Sequence, residues 1–204
     1  MSAAREGLSC EPRSQKRGAM VLSATLALGS CQMASCNDAD EDKTVSPSSA
    51  AHSSLDDRRG AAAEPDLDAT EGRVAEIDTS PGFTPDPTTC TGTTAGGPLD
   101  VNHLDDRCHG WVDAQPDAIL QAERPFAELT VMAASRDDAT LLIVGPDGEA
   151  RCGDDEDGTN PVVRGFFAAG LHRVWVGTRE RGVEARFVLG LSELDDALPS
   201  SLPY

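Results

Sequence analysis

The segment ATLLIVGPDGEARCG, residues 139–153, has the pattern of two short β-strands joined by a tight turn. Pro146 fixes its own φ near the value that a turn requires, and Gly148 tolerates a positive φ. The run ATLLIV before the turn is rich in long and β-branched apolar residues, which favour a strand. The segment therefore predicts a β-hairpin.

Short apolar runs separated by turn residues continue on both sides of this hairpin. The runs that predict further strands are HGWVDA (109–114), FAELTVMAAS (126–135), PVVRGFF (161–167), HRVWVGT (172–178) and ARFVLGLS (185–192). In the last run, alternation places Phe187, Leu189 and Leu191 on one face. Closely spaced short strands of this kind predict an all-β fold, a single antiparallel β-sandwich over residues 90–194.

The rest of the chain has the composition of an export signal, a linker and a tail. Residues 1–30 are predicted to be a signal peptide, because basic residues precede an apolar run that is too short to span a bilayer. Residues 31–89 are rich in Ala, Ser, Asp, Glu and Pro and have few large apolar side chains, which predicts a disordered linker. Residues 195–204 are predicted to form a C-terminal tail.

The residues LGS before Cys31 resemble the lipobox of bacterial lipoproteins. In that family, a cysteine after a leucine and two small residues becomes lipid-modified and N-terminal, so the resemblance implies attachment to a membrane through a lipid at Cys31. Cleavage at a small-residue site without lipid is the alternative. Gln32, in place of aspartate, favours the bacterial outer membrane or cell surface, and the periplasmic face also remains open.

Charge and motifs exclude several functional classes. The net charge of −18 at pH 7 argues against nucleic acid as a partner. The sequence has no G-x-S-x-G elbow, H-E-x-x-H helix, P-loop or C-x-x-C motif, so it predicts no enzyme. His172 alternates with Arg173 and is interpreted as a sheet-surface residue. Trp111 and Trp175 could form a sugar-stacking platform, but the VWV context of Trp175 favours packing in the core.

The segment RCGDDEDGTNPVV, residues 151–163, concentrates carboxylates. An EF-hand does not fit, because its first position would be Gly153 and its twelfth Arg164. A calcium site in loops of the sandwich would draw on five carboxylates: Asp137, Asp138, Asp154, Asp155 and Asp157. Hard oxygen ligands at short spacing suit Ca²⁺, but a solvated acidic turn remains the other interpretation.

The region from residue 137 to 192 resembles a bacterial pre-peptidase C-terminal domain and its lipoprotein relatives. The motifs that carry the resemblance are TLLIVGPDG (140–148), CGDD (152–155), NP (160–161) and GLHRVWVG (170–177). Upstream, CHGWVDAQPDAIL (108–120) is similar to the family's opening strand.

The resemblance implies a jelly-roll-like sandwich that is not itself catalytic and that accompanies secreted enzymes or extracytoplasmic proteins. Some relatives bind calcium or a polymeric matrix. The family-like positions of Cys108 and Cys152 imply a disulfide between them, whereas the pairing of Cys36 and Cys90 stays open.

Together these features predict an envelope-anchored lipoprotein with a non-catalytic β-sandwich that acts as a binding or structural module. Calcium would stabilise the sandwich, and an unidentified extracellular protein or polysaccharide would be its partner. Two alternatives remain: an accessory or inhibitory domain of an extracellular enzyme system, and a hydrolase whose site has no linear motif.

Overall fold

The computed structural model describes residues 64–204 of the chain. The predicted signal peptide, the lipid at Cys31, Cys36 and the predicted linker up to residue 63 lie outside the described residues. Residues 64–204 contain no helix with the length and apolar character of a membrane span.

Two β-sheets pack face to face as a sandwich, which confirms the predicted all-β fold. The described strands are β1 (Ala75–Thr79), β2 (Thr88–Thr94), β3 (Leu99–Asp100), β4 (Trp111–Val112), β5 (Ala118–Ala122), β6 (Phe126–Ser135), β7 (Ala139–Val144), β8 (Ala150–Gly153), β9 (Val162–Phe167), β10 (Gly170–Thr178) and β11 (Ala185–Ser192). A short 3₁₀ turn, Pro199–Ser201, follows them.

The first sheet is organised around β10, and the second has a simple linear order. In the first sheet, β5 and β4 pair with one edge of β10 and β7 pairs with the other, while β1, β3 and β8 extend the sheet beyond them. The second sheet has the order β2-β11-β6-β9. The pairing of β1 with β5 is parallel, with Ala75 opposite Ala118. The prediction of a wholly antiparallel sandwich is therefore wrong for this pair. Parallel neighbours need a long connection, and the intervening strands β2 to β4 provide it.

Both faces of the first sheet are covered, which explains why the predicted hairpin begins with a continuous apolar run. Leu141 and Ile143 of β7 point into the inter-sheet core. Leu142 and Val144 point to the opposite face, where they join an outer cluster that contains Leu99, Val101, Cys108, Val112, Leu142, Val144 and Trp175. A strand buried on both sides needs apolar residues at every position.

The alternation predicted for the last strand is confirmed. Phe187, Leu189 and Leu191 are buried in the inter-sheet core. Val188 faces outward, where it packs with Leu202 of the C-terminal segment. The predicted tail, residues 195–204, therefore lies against the outer face of the second sheet.

The prediction of a disordered linker over residues 31–89 is wrong for residues 64–89, which belong to the sandwich. Strand β1 pairs with β5 along its whole length, and Ile77 and Phe83 are buried in the inter-sheet core. The residues of β1 alternate between buried and exposed, so an edge strand of this kind needs only a few inward apolar side chains. Its overall polar composition therefore resembles that of a linker.

Candidate metal site

Three of the five predicted carboxylates converge at one end of the sandwich. Asp138 immediately precedes β7, and Asp154 and Asp155 immediately follow β8. Because β7 and β8 are antiparallel neighbours, with Leu141 opposite Gly153, the start of one lies beside the end of the other. One carboxylate oxygen from each aspartate lies within 4.8 Å of the others. The hairpin register thus creates a cluster of oxygen ligands.

The cluster contains negative charge that its surroundings only partly neutralise. The Oδ1 atoms of Asp138 and Asp154 are buried from solvent and have no hydrogen-bond partner. Burial, followed by the charge of Asp155, raises the pKa of both carboxyl groups above their usual values. A half-exposed cation, Arg179, lies with its Nη1 3.4 Å from Asp154 Oδ2. Buried, unpaired carboxylate oxygens are costly, and a bound cation would offset that cost.

Asn160 holds the acidic turn against the neighbouring sheet. Its side-chain oxygen accepts a hydrogen bond of 2.8 Å from the backbone N–H of Ser135, at the end of β6. Its backbone carbonyl accepts hydrogen bonds of 3.1 Å from the N–H groups of Glu156 and Asp157. Asp155 has a positive φ of 39° within this turn. The Asn160 amide therefore fixes the position of the acidic turn that carries Asp154 and Asp155, although in the sequence it stands out only as part of the NP motif.

The other two predicted ligands do not join the cluster. Asp157 Oδ2 accepts a hydrogen bond of 2.8 Å from the backbone N–H of Ser200 in the C-terminal segment. Asp137 is exposed, and its backbone N–H donates to Ser135 Oγ at 3.1 Å. The acidic run is thus divided between a candidate ion site and a contact that holds the C-terminal segment.

His172 does not lie on the sheet surface, and that interpretation is wrong. Its side chain is 2% exposed and shares a face of β10 with the core residues Val174 and Val176. Its Nε2 lies 2.9 Å from the carbonyl oxygen of Ala168, and burial lowers the pKa of the imidazole. The alternation that placed His172 beside Arg173 was correct, but it is His172 that points inward.

The two tryptophans occupy different environments. Trp175 is fully buried in the outer cluster, which confirms packing in the core. Trp111 is partly exposed, and the guanidinium carbon of Arg181 lies 5.1 Å from the centroid of its ring. The two rings therefore do not form a joint sugar-stacking platform.

The disulfide implied by the family resemblance is present. Cys108 and Cys152 are bonded, with their Cα atoms 5.0 Å apart. Both pack in or against the outer cluster, and Cys108 is fully buried. The bond fastens the segment before β4 to β8, two residues away from Asp154.

Comparison with known proteins adds no family assignment to this geometry. A scan against protein-family models finds no match to the chain, and a search of curated proteins finds none either. The resemblance to pre-peptidase C-terminal domains thus stays a prediction that rests on the motifs quoted above.

Proposed function

We propose that this chain is a lipid-anchored protein of the bacterial envelope whose β-sandwich is a non-catalytic binding module stabilised by calcium. The observation that carries the proposal is the convergence of Asp138, Asp154 and Asp155, with two buried and unpartnered oxygens. An ion at this point would link the turn before β7 to the turn after β8, and so would stabilise the loops at this end of the sandwich.

The chemistry of the cluster favours calcium over other ions. All three side chains offer hard carboxylate oxygens, which suit Ca²⁺ and Mg²⁺ better than zinc or copper. Asp155 is exposed, so water can complete the coordination shell. Ca²⁺ accepts six to eight oxygens in flexible geometry, whereas Mg²⁺ demands a near-ideal octahedron. A site built on two turns matches the more permissive ion.

The positions of two histidines support a non-catalytic module rather than the hydrolase alternative. The Nε2 of His172 is engaged by the Ala168 carbonyl, and its ring packs 5.1 Å from that of Phe167. His109 Nδ1 lies 3.3 Å from Asn102 Oδ1. Each imidazole thus has a structural neighbour, whereas a general base would be held against a nucleophile.

Anchoring rests on the lipobox-like LGS before Cys31. With the lipid in the outer membrane or cell surface, the sandwich would face an extracellular protein or polysaccharide, or a periplasmic partner. The strongly acidic chain would repel anionic headgroups, so the acyl chains would provide the attachment. Labelling cells with a radioactive or clickable palmitate tests this part. We expect label on the wild type and none on Cys31→Ser, and label on both or on neither would contradict the anchor.

Calcium titration of the purified mature protein tests the module. We expect heat on titration and a rise in Tm at millimolar Ca²⁺, both reversed by a chelator. The double variant Asp138→Asn, Asp154→Asn should lose the response, and the exposed Asp137→Asn should keep it as a matched control. Neither heat nor a thermal shift with the wild type would refute the site.

A further inference from the structure

A second concave site, distinct in its lining from the carboxylate cluster, lies on the outer face of the second sheet. It is a groove with a volume of about 580 Å³. We call it the arginine groove, and the side chains that matter here are Thr91, Thr93, Arg136, Arg186, Val188 and Tyr204. They come from β2, β11, the residue after β6 and the C-terminal segment. Its size is within the range of small-ligand sites.

Two arginines stand side by side in this groove. Arg186 lies on β11, opposite Thr93 of β2. Arg136 follows β6 directly, one residue beyond the paired Phe187 and Ser135, so it is the neighbour of Arg186 across the strands. Like charges in such positions repel each other.

Neither guanidinium forms an ion pair within residues 64–204, although acidic residues greatly outnumber basic ones in the chain. Arg73, Arg107, Arg164 and Arg179 have a carboxylate partner, and the other arginines in this part of the chain have none, so what distinguishes Arg136 and Arg186 is that they are adjacent. Two adjacent unpaired cations on so acidic a protein form a site that an anion would stabilise.

The groove also offers groups that suit a ring and its hydroxyls. The guanidinium carbon of Arg136 lies 5.6 Å from the centroid of the Tyr204 ring, and the Tyr204 hydroxyl donates a hydrogen bond of 3.3 Å to the backbone carbonyl of Arg186. Thr91 and Thr93 are exposed, and Val188 forms an apolar floor. Arginines pair with carboxylates in a bidentate manner, while threonine hydroxyls can exchange hydrogen bonds with sugar hydroxyls.

We infer that the arginine groove binds an anionic saccharide, a short stretch of uronic-acid polymer whose carboxylates pair with Arg136 and Arg186. This inference rests on the proposed function as a binding module and names its ligand class. An acidic peptide added as a strand beside β2 fits less well, because the carbonyl of Thr93 already accepts a hydrogen bond of 3.3 Å from Arg73. Charge that lies more than about 8 Å away on the domain is screened at physiological salt, so it does not prevent local pairing.

Calorimetric titration of the full mature chain with oligogalacturonate tests the inference, with the methyl-esterified, neutral oligomer of equal length for comparison. We expect the charged oligomer to bind at least tenfold more tightly than the neutral one. Arg136→Ala and Arg186→Ala should each weaken binding about tenfold, as expected when a charged hydrogen bond is lost. Arg107→Ala removes the same charge at a residue that does not line the groove and should bind like the wild type. Urea midpoints close to that of the wild type would show that the variants fold.

Four results would overturn the inference. These are no heat with oligogalacturonate, equal binding of the neutral oligomer, wild-type affinity in both groove variants, and tighter binding of oligoglutamate than of the uronate. The last result would assign the groove to acidic peptides. Calcium titration of the same preparation keeps the two proposals separate: a calcium response without saccharide binding refutes only the groove, and the reverse refutes only the ion site.

Discussion

Arg73 Nη2 lies 2.7 Å from Asp117 Oδ1, and this ion pair fastens the polar segment before β1 to the first sheet. Asp117 is 1% exposed, and its other oxygen accepts a hydrogen bond of 2.8 Å from the backbone N–H of Val176 in β10. Arg73 Nη1 also lies 2.6 Å from Asp113 Oδ2. The pair explains how a segment with few apolar side chains is held in place. Burial nevertheless raises the pKa of Asp117 to about 6, which its cation only partly opposes.

Removing Arg73 should destabilise the sandwich in a pH-dependent way. Arg73→Ala would leave the Asp117 carboxylate buried without its cation, and we expect a loss of about 3–5 kcal/mol at pH 7.5. The folded pKa of Asp117 already lies above its unfolded value of 3.8, and the substitution raises it further. At pH 5 the carboxyl group is largely protonated when folded, so the loss should be smaller there. Urea unfolding at both pH values measures the difference, and equal losses would contradict this account.

The disulfide should contribute a large part of the stability. Cys108 and Cys152 are 44 residues apart, for which loop closure in the unfolded chain corresponds to about 4 kcal/mol. The double variant Cys108→Ala, Cys152→Ala, unfolded in urea under oxidising conditions, should lose on the order of that amount. An unchanged midpoint would mean that the bond does not constrain the unfolded chain.

Gly177 should not tolerate a side chain. A Cβ at this position of β10 would meet the carbonyl oxygen of Trp111 and the side chains of Thr140 and Val112 well inside normal contact distance. Gly177→Ala should therefore cost about 1–3 kcal/mol, as overpacking does. Gly182→Asn is a matched control, because its φ of 76° suits asparagine and no atom lies within 4 Å of a Cβ there. Similar urea midpoints for the two variants would refute the contact.

The sequence predicted the strands whose own side chains fill the core. The runs FAELTVMAAS and ARFVLGLS coincide with β6 (Phe126–Ser135) and β11 (Ala185–Ser192), because buried central strands are visibly apolar. Strand β2, TTCTGTT, was not predicted, because the bulky side chain that fills the core beside it belongs to its partner strand β11. The Phe187 ring on β11 covers Gly92, where a Cβ would clash with it. No pattern within β2 itself reveals a contact of that kind.

The candidate ion site was predictable only in part, for a similar reason. Asp138, Asp154 and Asp155 stand next to strands that form one hairpin, so local sequence placed them together. Closeness in sequence also predicts Asp157 as a member of this set, and that prediction is wrong. The partner of Asp157, the backbone N–H of Ser200, lies 43 residues further along the chain, and spacing carries no information about such a contact.

Calcium should remove a pH dependence that the carboxylate cluster creates. Because the folded pKa values of Asp138 and Asp154 are raised above 3.8, the metal-free fold should lose stability as the pH rises from about 4 towards neutrality. Bound Ca²⁺ favours the ionised carboxylates, so with millimolar Ca²⁺ this part of the loss should disappear. Calcium should therefore raise Tm more at pH 7 than at pH 4.5. Thermal scans at both pH values, with calcium or with chelator, measure the effect.

Asp117, whose pKa is raised to about 6, also makes the fold lose stability as the pH rises, so the two contributions must be separated. Asp138→Asn should weaken both the pH dependence of Tm in chelator and the rise in Tm that calcium causes. Asp117→Asn should reduce the pH dependence in chelator and leave the rise with calcium intact. The two groups are independent in this test, because Asp117 is paired with Arg73 and takes no part in the carboxylate cluster. A calcium shift of equal size at both pH values would show that the ion does not act through these carboxylates.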